Sequence, residues 1–200
     1  MQYSCAYFHN PNMSLDQAQK DKKQHIIKKL QITENMDVLD IGCGWGGMAI
    51  EIAKSTGAKV KGITLSENQF KTASERAQKE GLNDKVSFAL QDYRNETEKY
   101  DRIVSVGMFE HVGVKYFKTY LSKANDILKE NGVFLLHTIG QRGKPTATSP
   151  WIRKYIFPGG YIPSLSEVMN ATQKLNINVT DVEVLRPVSY THLRAHETLP

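Results

Sequence analysis

The stretch Met36-Asp37-Val38-Leu39-Asp40-Ile41-Gly42-Cys43-Gly44-Trp45-Gly46-Gly47 decides the fold of this chain. A short, mostly apolar run over 38–41 passes straight into a glycine-rich turn, and a helical pattern follows over 48–55, ended by Gly57. A strand buried on both faces of a parallel sheet reads as such an unbroken apolar run, so the parse is strand, turn, helix. Glycines lack a Cβ, which lets the turn take positive φ and lets a ligand lie against the backbone. The N–H groups that open the helix point at whatever lies there. This is the anatomy of a nucleotide-type cofactor site.

The glycines alone do not name the cofactor. Gly42, Gly44 and Gly47 satisfy G-x-G-x-x-G, but a dinucleotide site wants an acid at the tip of the second strand. The next apolar run, 59–65, ends in Thr64-Leu65-Ser66, with no acid at its tip. Asp40-Ile41-Gly42-Cys43-Gly44, with its acid inside the strand end, is similar instead to the S-adenosylmethionine (SAM) loop of class I methyltransferases. SAM has no pyrophosphate, but it carries an α-ammonium that a nearby carboxylate can help to hold. The bland alternative is a glycine turn that only packs a helix on a sheet.

Working outward, residues 1–12 are dense in aromatics without helical or strand period and read as an N-terminal arm packed on the sheet. Ser14-x-x-Gln17 is a capping box that opens a helix with Leu15, Ala18, Ile26, Ile27 and Leu30 on its apolar side. Lys20, Lys22, Lys23, Lys28 and Lys29 read as its solvated face. Beyond the strand over 59–65, Ser66-x-x-Gln69 caps a helix to about Glu80, stopped at Gly81. A third strand over 85–90 leads to Gln91-Asp92-Tyr93-Arg94, where Asp92 is placed either to meet an adenine amino group or to cap a turn. A fourth strand, 102–106, precedes Gly107-Met108-Phe109-Glu110-His111-Val112-Gly113, and a helix over 116–128 is expected to stop at Asn131-Gly132. The fifth strand is 133–139, with His137 near its end, and a sixth is expected over 177–185. Between them lie a polar loop, 141–150, and an aromatic, basic stretch, 151–161, before Ser164-x-x-Glu167 caps one more helix. The expected fold class is α/β: a Rossmann-like class I methyltransferase sheet with helices on both faces.

Two hundred residues, 40% hydrophobic and 24% charged, suit one globular domain with a sizeable core. No apolar run reaches membrane-spanning length. The two cysteines, Cys5 and Cys43, have no metal-ligand spacing, so no metal is expected and a reducing, cytoplasmic setting is. A net charge of +5 favours an anionic partner, and the scattered basic residues, with no base-reading module, point away from nucleic acid. Trp151, Tyr155, Phe157 and Tyr161 interleaved with Arg153 and Lys154 suit an acyl chain beside an anionic headgroup; the alternative is a plain excursion over the sheet edge.

Several motifs then agree in order: Tyr3-Ser4-Cys5-Ala6-Tyr7-Phe8, Leu39 to Gly47, Gly62-Ile63-Thr64-Leu65-Ser66, Gly107 to Gly113, Leu136-His137-Thr138-Ile139-Gly140 and Ile156-Phe157-Pro158-Gly159-Gly160. Over residues 1–187 the chain resembles the cyclopropane-fatty-acyl-phospholipid synthases, which transfer a methyl group from SAM to a cis double bond of a phospholipid acyl chain and close a cyclopropane ring. The resemblance implies cofactor contacts from Tyr3, Ser4, Val38, Leu39, Asp40, Ile41, Gly42, Cys43, Gly44, Trp45, Gly46, Thr64, Leu65, Gln69, Asp92 and Tyr93. Thr64 and Gln69 would serve the ribose side. It also implies that a bound bicarbonate acts as base, held by Glu110, His137, the backbone at Cys5 and Ile139, and a later tyrosine. A phospholipid membrane surface is the implied partner, at the cytoplasmic periphery, with a homodimer left open.

The family pattern has a sizeable segment before the Tyr-Ser-Cys-Ala motif, and residues 188–200 depart from it, with Tyr190 one residue out of register. The expected division is a truncated methyltransferase domain over 1–187 and a foreign tail over 188–200. Two other readings stay open: methyl transfer to a small soluble acceptor, and a non-catalytic chain that binds SAM or anionic membrane.

Overall fold

The computed structural model describes residues 4–10, 12–156, 158–173 and 175–185. Helix α1 (Leu15–Leu30) is followed by β1 (Asp37–Ile41), α2 (Gly47–Thr56), β2 (Lys59–Thr64), α3 (Glu67–Lys79) and β3 (Val86–Leu90). The second half runs β4 (Tyr100–Val106), α4 (Phe117–Asp126), β5 (Leu128–His137) and α5 (Leu165–Thr172). The five strands are all parallel in the order β3-β2-β1-β4-β5. From β1 the chain winds outward to β3, then returns to the other side of β1 with β4. The strand order therefore reverses beside the carboxyl end of β1, the place where open α/β sheets bind ligands.

The apolar run of β1 is buried on both faces because neighbouring side chains go to opposite layers. Val38 packs with α1, α2 and the α3 residue Ala77, whereas Leu39 and Ile41 pack with Phe117, Tyr120 and Leu121 of α4 and Ala171 of α5. Each fully buried aliphatic or aromatic residue is worth roughly 1.5–3 kcal/mol, so β1 anchors both layers at once. Period two also puts Asp40 on the Val38 side, where α2 begins. The caps form as their sequences require: Ser14 and Ser66 accept from the N–H groups of Gln17 and Gln69, and Ser164 with Glu167 closes a full capping box.

Three expectations need correction. Residues 177–185 form no strand; Asp181 and Glu183 instead pair with Lys29 and His25 of α1, and Val179, Val182 and Val184 stay exposed. Those charge pairs hold the segment along the helix instead of along a sheet edge. The fourth helix ends at Asp126, not Leu128, and Asn131, at φ 60°, makes an irregularity inside β5. There the register jumps from Tyr100↔Leu128 to Arg102↔Val133. Lys22, expected on the solvated face of α1, is buried. Among the described residues no helix is long and apolar enough to cross a membrane, and no group of side chains is arranged to hold a metal ion.

Candidate active site

A cavity of about 800 Å³ opens at the carboxyl ends of β1, β2 and β4, lined by Ser4, Asp40 to Trp45, Thr64 to Ser66, Gln69, Gln91 to Arg94 and Val106 to Met108. The glycine loop forms its floor. The N–H groups of Gly42 and Cys43 both donate to the Ile63 carbonyl at 3.0 Å, which stitches the loop to β2. Gly42 sits at φ +77°, and a Cβ there would come within 2.7 Å of Met108 Cγ, so only glycine fits. Gly44 differs. Its φ is +54°, and a Cβ on it would meet no protein atom within 4 Å. Gly46 is the N-cap of α2 and offers no side-chain cap.

Asp40 stands behind this loop, 2% exposed. One interaction of its carboxylate is with the Ala49 N–H in the first turn of α2, while Oδ2 has no partner among the described residues. Burial pushes its pKa up to about 7. A buried carboxylate with an unused oxygen, on a residue that lines a ligand cavity, is suited to a cation. On the β2 side, Thr64 Oγ1 donates to Gln69 Oε1 at 2.8 Å and accepts from the Ser66 N–H at 3.2 Å, leaving the Gln69 amide hydrogens to point elsewhere. On the β3 side, Asp92 accepts from the N–H, Nε and Nη2 of Arg94 at 2.9, 2.9 and 2.6 Å. That guanidinium holds the Asp92 carboxyl below its usual range.

A second constellation lies beside the first, at the ends of β4 and β5. Glu110 sits in a 3-10 turn, Phe109–His111, just after β4 and is 8% exposed. Its Oε1 accepts from the Ile139 N–H at 2.7 Å; its Oε2, and Nδ1 of His137, are buried without a partner among the described residues. Burial, with a smaller push from Lys22, lowers the His137 pKa to about 4, so the ring is neutral at pH 7. The returning excursion braces this corner: the Tyr161 N–H donates to the Glu110 carbonyl at 2.8 Å.

With this geometry in view, the comparisons with known proteins decide the ancestry. The family described as mycolic acid cyclopropane synthetase matches residues 1–198. The chain belongs to that family. It is 48% identical over 173 residues to the cyclopropane-fatty-acyl-phospholipid synthase of Escherichia coli K12, covering 86% of this chain and 44% of that protein. It is 42% identical over 193 residues to a probable fatty acid methyltransferase of Pseudomonas putida, covering 93% and 49%. Among solved structures, the cyclopropane synthase MmaA2 from Mycobacterium tuberculosis superposes with a TM-score of 0.88 at 32% identity, over 98% of this chain and 73% of that one. The mycolic acid cyclopropane synthase CmaA1, complexed with SAH and CTAB, gives 0.87 at 32% identity, over 97% and 73%. The chain thus spans less than half the length of the curated relatives just named. Its fold is that of a class I SAM methyltransferase.

Against this family frame, the structure gathers Ser4, Asp40, Ile41, Gly42, Cys43, Gly44, Trp45, Thr64, Leu65, Gln69, Asp92 and Tyr93 on one cavity. Val38 and Leu39 are not part of its lining; both are fully buried in the two core layers. Gly46 shapes the loop from behind. Glu110 and Ile139 are joined directly, whereas His137, at the end of β5, keeps its Nδ1 unbonded among the described residues. Cys5 is half-buried. Tyr3, Phe157, Tyr190 and the proposed tail over 188–200 lie outside the described residues.

Sequence reasoning missed Tyr116 and Thr119, which line the cavity from the approach to α4 and from α4 itself, and gave no role to His111, which also lines it. Met108 and Arg94 stood inside quoted motifs but carried no recognised role. For Met108 and Arg94, the position just after a strand end was the available signal.

Proposed function

We propose that this chain carries the SAM-dependent methyl transfer of a cyclopropane-fatty-acyl-phospholipid synthase: addition of a methyl group across a cis double bond of a phospholipid acyl chain, with closure to a cyclopropane. The observation that carries the reading is the pair of adjoining constellations, a glycine-loop cavity with a spare Asp40 oxygen and, beside it, Glu110 and His137 with spare buried polar atoms. The residues fit SAM: Asp40 suits its ammonium, Gln69 and Thr64 its ribose, and Asp92 its adenine amino group. When bound, SAM supplies an electrophilic methyl group. When bound, bicarbonate supplies a proton acceptor.

Methyl addition to an alkene leaves a positive charge on the acyl chain and one proton to remove. Aromatic faces stabilise such a cation by roughly 1–2 kcal/mol when desolvated; Phe8 packs on Leu15 and Ala18, outside the cavity lining. Glu110, fixed by the Ile139 N–H, presents Oε2 as an acceptor, and neutral His137 presents Nδ1 or its N–H. Together they can orient a small oxyanion or its proton at the end of β4 and β5. The Ile139 N–H is already committed to Glu110, so that backbone would act through the carboxylate. The acyl chain reaches the site from a membrane surface at the cytoplasmic periphery, and a homodimer is compatible with this arrangement.

The test is direct. The protein is incubated with SAM and vesicles of unsaturated phospholipid, and the acyl chains are analysed by mass spectrometry for the gain of one methylene unit. Glu110→Gln is expected to lower the rate by about 10²–10⁴-fold while SAM affinity holds. Removing carbon dioxide should slow the wild type, and added bicarbonate should restore it. No methylene gain, with SAM bound, would overturn the acceptor; indifference to both Glu110→Gln and bicarbonate would return Glu110 and His137 to a structural role.

A further inference from the structure

One buried lysine has entered the site so far only through a small push on His137. Lys22, in the middle of α1, is 3% exposed and its ammonium lies inside the fold. Burying an ammonium costs several kcal/mol even after relaxation, unless its contacts return that energy. What its head group touches is therefore informative. Lys22 Nζ donates to Ser4 Oγ at 2.7 Å and to the Ser4 carbonyl at 3.4 Å. Gln19, one turn earlier on the same face of α1, donates from Nε2 to that same carbonyl at 3.0 Å.

Ser4 is not a bystander. It lines the cofactor cavity and packs on the end of β4, where a Cβ on Gly107 would lie 3.3 Å from Ser4 Cβ. The Gly107 N–H in turn donates to the His137 carbonyl at 3.0 Å. Downstream the arm has its own anchors: the Tyr7 N–H donates to the Ala18 carbonyl at 3.1 Å, and Ala6 and Phe8 pack on Leu15 and Ala18. The Ser4 end is instead held to α1 by Lys22 and Gln19.

We infer that Lys22 is a positioning residue for this site, holding Ser4 against the end of β4 so that Ser4 walls the cofactor cavity on the side of Glu110 and His137. The inference rests on the SAM reading above and extends it to a helix residue that acts on the cofactor through Ser4. Burial lowers the Lys22 pKa to about 7, so holding an ammonium at this place costs the fold stability.

That cost supplies the test. Lys22→Met keeps the length of the side chain and removes the buried charge, so its thermal midpoint should equal or exceed that of the wild type. Its SAM affinity, measured by calorimetry, should nevertheless fall by about 10–100-fold. Ser4→Ala should weaken binding too, and the double variant should lose less than the sum of the two single losses, because the Lys22–Ser4 bond is common to both. Gln19→Ala, which severs the second bond to the Ser4 carbonyl, should weaken binding several-fold and serves if Lys22→Met does not fold. SAM affinity within twofold of wild type in Lys22→Met or, failing its folding, in Gln19→Ala would overturn the clamp. A wild-type protein that binds no SAM would overturn the cofactor reading, and the clamp with it.

Discussion

Asp40 and His137 are buried titratable groups whose ordinary charges the fold suppresses in opposite directions. Asp40 rises to about 7 from an ordinary 3.8, so its contribution to stability is full below about pH 4 and is lost as pH rises toward 7. His137 falls to about 4 from 6.5, so its contribution is present above 6.5 and is lost as pH falls toward 4. The two slopes oppose each other between pH 4 and 6.5. Asp40→Asn should therefore expose the His137 slope: its urea midpoint should climb across that range, while the wild type stays flatter. At pH 8 the same variant should be more stable by up to a few kcal/mol, at ~1.4 kcal/mol for each tenfold change in the acidity constant. An unchanged midpoint at pH 8 would contradict the desolvation account of Asp40. In ligand binding the cost reverses: wild-type SAM affinity should weaken about tenfold per pH unit below 7, because the ammonium needs the ionised carboxylate. Gly44→Val should abolish SAM binding yet leave the sheet folded, since a side chain there meets no protein atom but stands on the cavity floor. Calorimetry showing normal affinity would take the loop out of the site.

At the scale of elements, the excursion over 141–161 carries the membrane reading. Trp151 and Tyr155 are 61% and 63% exposed, and the Lys154 ammonium lies 5.0 Å from the Tyr155 ring centroid, within a π-helical turn, Ile152–Ile156. Exposed aromatics beside cations suit a lipid interface. Trp151→Ala with Tyr155→Ala should reduce vesicle sedimentation without altering SAM affinity, and salt should weaken binding to anionic vesicles more than to neutral ones. Equal salt sensitivity would make the basic residues incidental. Elements with a local signature were legible in the sequence: the glycine turn after β1, and the Ser14, Ser66 and Ser164 caps. Those decided by tertiary partners were not. The valines at 179, 182 and 184 look like a strand until Asp181 and Glu183 find α1, and Lys22 looks solvated until the arm folds over it. In the site, Asp40 and Asp92 could be read because they end or follow a strand, whereas Thr64 and Gln69 came from the family resemblance. Tyr116 and Thr119 could not be read, because only the turn of α4 over the sheet brings them to the cavity.

For the whole molecule, a ligand that binds at the junction of β1, β2 and β4 should stabilise every layer together. SAM at a hundred times its dissociation constant should add about 2.7 kcal/mol to unfolding, read as a rise in the thermal midpoint. No rise would argue against a site built into the central sheet. The order β3-β2-β1-β4-β5 has another consequence, for how the chain reaches this state. Among these strands no pair is a hairpin: each parallel pairing waits on a crossover, and β1 meets β4 only through distant partners such as Leu39 and Ile103. Loop closure of that kind must precede any reward from the ladder, which places refolding in the millisecond-to-second range, not the microseconds of helical bundles. Until β4 arrives, one edge of the central strand, buried along nearly its whole length in the finished fold, is unpaired. During synthesis that edge is open from the moment β1 emerges until residues beyond Val106 have followed, and over that interval the half-made sheet is a template for another copy of itself.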